Sequence, residues 1–279
     1  MRIVTYNFLR AGSLKRCGHW SRVIRHLRPH VVLAQECRPP LSSPGERFLP
    51  GQDDAFAWQE AGSRGWGSAL LARSVSLTPI GISGYKGWIV GGEIRNAAWS
   101  HRPIRFFSIH GPAGEGGYIR TIQHILDRVA VFRRKADLVL GGDFNVAVGY
   151  RRPHEAIRFV RGEREILDRL GREFGLVSCW QAANPDRPLA QTLRWMGNPT
   201  SPYHCDGIFV PKSWLPRLQS CRVVRGSRWS HLSDHNPVVA DFEDRVAKRS
   251  RRGGAGDSPA SYSPRITRTA ESRRLCTPG

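Results

Sequence analysis

Residues 137–145 read DLVLGGDFN, a short apolar run that ends in two glycines and the polar residues Asp143 and Asn145. A continuous apolar run closed by glycine predicts a strand that is buried in a sheet. In α/β proteins, functional side chains gather at the carboxyl ends of such strands. We therefore expect Asp143 and Asn145 to lie at a site, directly after a buried strand.

The same arrangement recurs along the chain in both directions from this stretch. Further polar side chains follow or precede apolar runs at residues 3–6, 31–34, 106–109, 208–210 and 237–239. One such residue is usually a turn or cap residue, but so many at strand ends indicate a common site. These side chains are Asn7, Glu36, His110, Asp206, Asp234 and His235.

Further strands are predicted at 67–72, 88–94 and 222–224, and amphipathic helices separate some of the predicted strands. Apolar residues recur at helical spacing over 20–27, 118–134 and 163–174. Alternating strands and helices predict a single α/β or α+β domain over residues 1–243. Residues 244–279 are rich in Arg, Ser, Gly and Pro, with almost no large apolar side chains, and are predicted to be a basic, disordered tail.

The composition sets limits on the class of protein. The 279 residues carry 43 Lys and Arg against 23 Asp and Glu, a net charge of +20, of which +15 falls within residues 1–242. Such an excess favours a polyanionic partner such as nucleic acid, although a bias toward arginine codons explains it equally well. Nine Trp, eleven Phe and six Tyr exclude a wholly disordered chain.

Three features of the sequence bear on its cellular context. No apolar run is long enough for a membrane span, so we expect no integral membrane association. The start MRIVTYN lacks the features of a signal peptide, and the six cysteines form no CxxC pair. We therefore expect a cytoplasmic protein with reduced thiols, and we take a monomer as the default.

The residue types at the strand ends indicate their chemistry. Carboxylate and amide oxygens suit a hard divalent cation such as Mg²⁺ or Mn²⁺, and the absence of thiolates from the set argues against zinc. Histidine and carboxylate side chains also supply general acids and bases. The set therefore predicts a divalent-metal site combined with acid–base chemistry.

Four motifs in order make the sequence similar to a known family. They are Thr5-Tyr6-Asn7, the segment ending Leu33-Ala34-Gln35-Glu36, Gly142-Asp143-Phe144-Asn145 and Ser233-Asp234-His235-Asn236-Pro237. Together they resemble the endonuclease/exonuclease/phosphatase superfamily of exonuclease III-type enzymes, pancreatic-type deoxyribonucleases and sphingomyelinases. The resemblance covers residues 1–242 and implies a four-layer sandwich, with two mixed β-sheets packed face to face and flanking helices.

The resemblance also implies a role for each matching residue. Glu36 would be the principal Mg²⁺ ligand, with Asn7 beside it and Asp234 close by. Asp143 would orient or deprotonate the attacking water. The residues that would contact the phosphate or support such a contact are Asn145, His235, its partner Asp206, and His110 as phosphate ligand or general acid.

Two segments depart from the abasic-site endonuclease branch. That branch has an Arg-Ile-Asp-Tyr segment where residues 204–207 read HCDG, and a Tyr-x-Pro-Asn-Gly turn where residues 109–112 read IHGP. His110 instead matches the deoxyribonuclease and sphingomyelinase branches. Their first histidine is paired with a glutamate that residues 64–68 lack, and Glu93 is a candidate replacement.

The substrate is less well determined than the reaction. Arg194 and Trp195 are candidates for holding a phosphate and stacking on a base, although a solvated arginine and a packing tryptophan are slightly favoured. The leading hypothesis is a metal-dependent phosphodiesterase, a nuclease acting on DNA or RNA. The alternatives are a phosphatase or phosphodiesterase for a small molecule or lipid head group, and a catalytically inactive scaffold that binds nucleic acid.

Overall fold

The described residues all belong to a first compact unit, Met1–Val246. Most of the predicted tail lies outside the described residues, so its disorder stays a prediction. Its first residues, 244 and 245, belong to the first unit, where the Arg245 N–H donates to the Ala98 carbonyl. The residues that this computed structural model describes are 1–10, 16–43, 45–151 and 160–245.

The described residues form twelve strands and five α-helices. The strands are β1 Arg2–Asn7, β2 Val31–Cys37, β3 Ala55–Glu60, β4 Gly67–Ala72, β5 Leu77–Ile80, β6 Ile89–Ile94, β7 Ile104–His110, β8 Asp137–Asp143, β9 Leu176–Ser178, β10 Asp206–Pro211, β11 Leu218–Val223 and β12 Val238–Phe242. The α-helices are α1 His19–Leu27, α2 Gly117–Ala130, α3 Arg161–Arg172, α4 Cys179–Ala183 and α5 Ser227–Ser230. The strands β2 to β7 follow one another without an α-helix between them.

The strands form two six-stranded mixed sheets. The first has the order β11-β12-β1-β2-β4-β3, and the second has the order β5-β6-β7-β8-β10-β9. One parallel pair lies near the middle of each sheet, β1 with β2 and β7 with β8, and the other pairings are antiparallel. In each parallel pair a helix connects the strands, α1 in the first and α2 in the second. The strands of both parallel pairs therefore end at or next to residues that the sequence analysis identified as site candidates.

The two sheets pack face to face over one apolar core. Leu33 and Leu70 of the first sheet share a cluster with Phe106, Val139 and Ile208 of the second, and all five side chains are buried. Burial on this scale is the main stabilising contribution to such a sandwich, about 25 cal/mol per Å² of apolar surface.

Helices cover the two outer faces. Trp20 and Val23 of α1 pack with the outer residues of the first sheet, and Ile125 of α2 and Leu167 of α3 pack against the second. The predicted four-layer α/β sandwich is therefore confirmed.

The two glycines before Asp143 are required by close packing. A Cβ atom at Gly141 would lie 2.5 Å from Cδ1 of Leu33 in the facing sheet. At Gly142 it would lie 1.8 Å from the carbonyl oxygen of Ile109, and the φ of +153° also favours glycine. The glycines thus let β8 carry Asp143 close to both sheets.

Nothing in the described residues contradicts the expectations that the chain has no membrane span and that its thiols are reduced. Over these ranges, no helix combines the length and apolarity that a bilayer crossing requires. The cysteines at 17, 37, 179, 205 and 221 are free thiols, and Cys276 lies outside the described residues.

Candidate active site

The carboxyl ends of the two parallel strand pairs meet at one edge of the sandwich. Asn7 ends β1, and its Nδ2 donates to Oε1 of Glu36 at 3.1 Å and to Oδ2 of Asp143 at 3.0 Å. Glu36 belongs to the first sheet and Asp143 to the second. Asn7 therefore connects two carboxylates that come from different sheets.

Glu36 is held in an uncommon backbone conformation. Its φ is +47°, in the left-handed region, at a register irregularity between β2 and β4. The Arg10 N–H donates to Oε2 of Glu36 at 2.7 Å, which fixes the carboxylate. Non-glycine residues with positive φ store strain that is common at functional sites.

Gln35, the residue before Glu36, joins the two sheets. Its Nε2 donates to the Ser108 hydroxyl at 2.9 Å, and that hydroxyl donates to the Ala34 carbonyl at 3.0 Å. All of these groups are buried, and hydrogen-bonded polar groups between the sheets fix their relative position. The Gln-Glu pair thus combines a structural residue with a candidate ligand.

His235 and Asp206 form a buried ion pair. The Nδ1 of His235 lies 2.8 Å from Oδ2 of Asp206 and 3.0 Å from Oδ1, while its Nε2 lies 3.7 Å from Oδ2 of Asp143. Burial alone would lower the pKa of His235, but the negative charges of Asp206 and Asp143 raise it to about 10. His235 is therefore a cation at neutral pH.

Asp143 lies between two histidines. Burial raises the pKa of its carboxyl, the charge of His235 opposes that rise, and the charge of Asp206 adds to it. Asn145, with a φ of +54°, donates its backbone N–H to Oδ1 of Asp143 at 3.0 Å and its Nδ2 to the Gly111 carbonyl at 3.0 Å. The raised pKa suits a group that accepts a proton.

His110 differs from His235 in its charge. Its Nε2 lies 3.5 Å from Oε1 of Glu36 and 3.9 Å from Oδ2 of Asp143, yet burial lowers its pKa to about 4. Its buried Nδ1 has no hydrogen-bond partner among the described residues. We take His110 to be neutral near pH 7, because the burial effect exceeds the attraction of carboxylates at those distances.

Glu93 is not the carboxylate partner of His110. Its Oε2 accepts from Nε of Arg105 at 3.0 Å, and its Oε1 lies 2.9 Å from Nη2 of Arg95. Glu93 pairs in register with Arg105 on β7, whereas His110 ends that strand. The aromatic side chains of Trp66 and Trp88 lie beside His110 instead, with ring centroids at 5.6 and 5.0 Å.

Asp234 lies at the margin of this cluster. Its side chain is 36% exposed, and its Oδ1 is 3.9 Å from Nε2 of His235. The preceding Ser233 donates its hydroxyl to the Asn7 carbonyl at 2.8 Å, which ties the loop to the end of β1. The metal role of Asp234 stays a prediction.

Arg194 supports the loop that carries His235. Its Nη2 donates to the His235 carbonyl at 3.1 Å and, in a very short contact, to the Ser233 carbonyl, while Nη1 donates to Oδ1 of Asn236. Both terminal nitrogens of the guanidinium therefore donate hydrogen bonds to residues 233–236. Phosphate binding by Arg194 stays a prediction, but the described contacts are structural.

Trp195 lies on an exposed rim beside the same loop. Its side chain is 57% exposed, and its ring packs edge-on against Tyr203 with centroids 6.3 Å apart. Leu193, two residues before it, pairs with both Tyr203 and His235 in isolated β-bridges. Trp195 is thus accessible and near the cluster, as base stacking would require.

A hard divalent cation fits the donors of this site. The carboxylates of Glu36 and Asp143 converge on Asn7, and neutral His110 gives them no compensating charge on that side. Such a pair of carboxylates suits a cation with oxygen ligands.

A buried group that could hold a metal ion also lies next to this pair. Asp143, Cys205, Asp206 and His235 offer ligand atoms within 4.8 Å of one another. However, cationic His235 has no free lone pair, both Asp206 oxygens contact its Nδ1, and burial raises the pKa of the Cys205 thiol. Of these four residues, Asp143, which Asn7 also connects to Glu36, is the one best suited to bind a cation.

Tyr118 lies close enough to the candidate site for the charges there to act on it, and the sequence reasoning missed it. It lies in the first turn of α2, and burial together with the charges of Asp143, Cys205 and Glu36 raises its pKa. Its position eight residues after His110, behind a glycine-rich turn, was the one available signal.

Comparison with known proteins defines the class of fold. No protein-family model matches the sequence, and a search of curated proteins finds no match. Solved structures do match over nearly their whole length. An AP endonuclease from Archaeoglobus fulgidus has a TM-score of 0.63 at 15% identity, covering 87% of this chain and 99% of that one.

Two further solved structures match equally well. The 3′-5′ exonuclease NExo from Neisseria meningitidis has a TM-score of 0.61 at 18% identity, covering 87% of this chain and all of that one. The Xenopus laevis APE2 catalytic domain has a TM-score of 0.63 at 17% identity, covering 89% and 94%. The chain thus has the fold of the endonuclease/exonuclease/phosphatase superfamily.

Proposed function

We propose that this protein is a divalent-metal-dependent phosphodiesterase that hydrolyses nucleic acid. The proposal rests on the series of contacts from Asp206 to Nδ1 of His235 and from Nε2 of His235 to Asp143. This series sets a charged histidine and a carboxylate with a raised pKa 3.7 Å apart at the edge where both sheets end. A cation and a proton acceptor this close suit attack by water on a phosphodiester.

In this proposal the two groups have complementary roles. Nε2 of His235 donates a hydrogen bond to a non-bridging phosphoryl oxygen, and Asp206 holds its Nδ1 proton and orientation. Asp143 orients the attacking water and takes its proton as the new P–O bond forms. Asn145 positions Asp143 through its backbone N–H.

The remaining polar residues hold the ion and the departing group. Glu36 and Asn7 would hold the divalent cation, Mg²⁺ or Mn²⁺, which when bound neutralises phosphate charge and stabilises the leaving oxygen. Neutral His110, with Nε2 facing Glu36 and Asp143, is placed to contact the phosphate or the leaving group. Asp234, whose Oδ1 lies 3.9 Å from Nε2 of His235, would assist in holding the cation.

Three observations support a nucleic-acid substrate. Residues 1–242 carry a net charge of +15, which attracts polyanions. Trp195 is exposed beside the loop that carries His235. The solved structures that share the fold are described as nucleases. A scaffold without activity is disfavoured, because each position of the catalytic set holds a competent side chain.

A substrate panel tests the proposal. Plasmid DNA, single-stranded DNA, abasic duplex, RNA, a sphingomyelin analogue and a phosphomonoester are incubated with Mg²⁺, with Mn²⁺ or with chelator. We expect metal-dependent cleavage of at least one nucleic acid, and loss of that cleavage in His235→Ala. Activity confined to the sphingomyelin analogue and the phosphomonoester would overturn the nuclease assignment in favour of a small-substrate enzyme.

A further inference from the structure

An arginine is stacked on two tryptophans beside the candidate active site. Trp66 and Trp88 meet edge to face, with centroids 5.5 Å apart and an interplanar angle of 89°. The guanidinium carbon of Arg64 lies 5.5 Å from the Trp66 ring centroid and 5.3 Å from that of Trp88. Cation–π attraction of this kind holds a charged group in place next to His110.

The backbone around Arg64 is fixed by two further contacts. The Gly65 N–H donates to Oε1 of Glu60 at 2.6 Å, and Nε of Arg38 donates to the Gly65 carbonyl at 2.6 Å. Arg64 itself is exposed and has no carboxylate at ion-pair distance within the described parts of the chain. Its planar donors are therefore oriented and available, a geometry that matches phosphate.

A second cation without an ion pair among the described residues lines a cavity next to Trp88. A cavity of about 470 Å³ is lined by Glu60, Gly62, Gly84, Lys86 and Trp88. Lys86 is exposed, and no ion pair joins it to another described residue. Glu60 also lines the cavity, but one of its carboxylate oxygens already accepts the Gly65 N–H.

The turn that carries Lys86 is also rigid. Gly87 has a φ of +76°, and a Cβ there would lie 2.1 Å from the Glu60 carbonyl. The turn is thus pressed against the end of β3, so Lys86 and Trp88 have a fixed position relative to the Arg64 loop. Two available cations thus lie near Trp88: Arg64 is stacked on its ring, and Lys86 lines the same cavity.

We propose that Arg64 and Lys86 bind backbone phosphates of the cleaved strand where it leaves the active site past Trp88. This inference rests on the proposed function and deepens it, because it gives the site a preference for polymeric substrates. A phosphodiester without neighbouring phosphates makes neither contact. The two residues bind the substrate and take no part in the chemical step.

Binding under varied salt tests this proposal without catalysis. The affinity of a fluorescent oligonucleotide is measured in chelator at several KCl concentrations. For Arg64→Gln and for Lys86→Gln, we expect several-fold weaker binding and a slope of log K against log[KCl] that is shallower by about 0.7 to 0.9 per lost phosphate contact. Arg64→Lys should recover part of the lost affinity, since lysine keeps the positive charge but lacks the planar guanidinium that stacks on the tryptophans.

Matched controls come from the far end of the second sheet. Arg172, with its side chain 83% exposed, ends α3, and Lys212 follows β10 at the end opposite Asp206. Arg172→Gln and Lys212→Gln should keep the wild-type slope. Unchanged slope and affinity in both Arg64→Gln and Lys86→Gln, or absence of oligonucleotide binding by the wild type, would overturn the proposal.

A minimal substrate separates this inference from the proposed function. Hydrolysis of bis(4-nitrophenyl) phosphate should be the same in the wild type, Arg64→Gln and Lys86→Gln. Failure of the wild type to hydrolyse any phosphodiester contradicts the proposed function and leaves the binding result to decide the inference. Loss of minimal-substrate turnover in Arg64→Gln would show that Arg64 acts through His110, and would overturn the inference alone.

Discussion

Nδ1 of His235 lies 2.8 Å from Oδ2 of Asp206, and both side chains are buried, although Asp206 begins β10 of the second sheet and His235 precedes β12 of the first. A buried carboxylate at this distance keeps the imidazole charged and fixes which nitrogen faces the substrate. The opposite nitrogen of the ring is thereby directed toward Asp143.

The first prediction follows from this pair. Asp206→Asn should lower kcat by about 100-fold or more, the range of a general acid or base, with little change in KM. Because the charges of Asp206 and Asp143 together raise the pKa of His235 to about 10, removal of Asp206 should lower that pKa. The alkaline fall in kcat, where His235 loses its proton, should therefore move to lower pH. An unmoved alkaline limb would contradict the pairing, and Asp168→Asn on the surface serves as the control.

Glu36 gives a second prediction, which concerns metal binding and metal-dependent turnover. Glu36→Gln should abolish metal-dependent turnover and weaken Mn²⁺ binding, measured by electron paramagnetic resonance, because a charged oxygen ligand is lost. Far-ultraviolet circular dichroism should remain unchanged, since Glu36 accepts hydrogen bonds at the site and is not part of the core. Glu243→Gln, on the surface, should bind Mn²⁺ like the wild type. Full activity of Glu36→Gln would refute the metal assignment.

The position of Arg194 predicts an effect on stability as well as on activity. Arg194→Met removes donors to the Ser233 and His235 carbonyls, and hydrogen bonds to charged groups are worth about 2 kcal/mol. The free energy of urea unfolding should fall by about that amount, and kcat should fall with it because the His235 loop loosens. A variant with wild-type stability and only a raised KM would support phosphate binding by Arg194 instead.

Trp195 should behave in the opposite way. Its ring is exposed, so Trp195→Ala should leave the unfolding free energy unchanged. Base stacking contributes about 1–3 kcal/mol, so KM for an oligonucleotide should rise about fivefold or more while kcat is kept. Measurement on bis(4-nitrophenyl) phosphate should show no change in KM. An unaffected KM on both substrates would remove Trp195 from the binding surface.

A fifth prediction concerns pH and stability away from the active site. Burial lowers the pKa of His19 from 6.5 to about 4, and its Nε2 lies 3.1 Å from the Leu232 carbonyl. Between these two values the unfolded chain binds more protons, so the folded state loses stability as pH falls from about 6.5 to 4. The loss attributable to His19 should be about 3 kcal/mol.

The matched variant for this prediction is His19→Gln, which keeps a polar side chain. Urea titrations at pH 4.5 and 7 should show a smaller pH dependence for the variant than for the wild type. His110, whose pKa is also lowered to about 4, contributes to both proteins and so cancels in the comparison. Equal pH dependence in the two proteins would contradict the burial effect at His19.

Much of the fold could be predicted from apolar patterning. The buried strands β2, β4, β7 and β8 and the helices α1 to α3 appear as continuous or helically spaced apolar runs. The strands that were not predicted are β3, β5 and β9, whose residues are mostly half-buried or exposed. Edge strands of this kind have no continuous apolar run, because only one face meets the core.

The candidate site was predictable in part. Asn7, Glu36, Asp143, Asp206 and His235 do come together, because strand ends bring polar residues to one edge of the sheets. The Glu93 suggestion was wrong, because position along a strand decides which end a side chain reaches. Tyr118 and the Arg64 stack were missed, since neither exposed residue follows a buried strand.

The sequence by itself determined which residue types stand after which strands, and the basic charge that favours a polyanionic substrate. Only the tertiary structure decided that carboxylates of separate sheets, Glu36 and Asp143, meet at Asn7. It also decided that His235 is charged whereas His110 is neutral. The physical reason is that proton affinity depends on burial and on neighbouring charges, which long-range packing alone brings together.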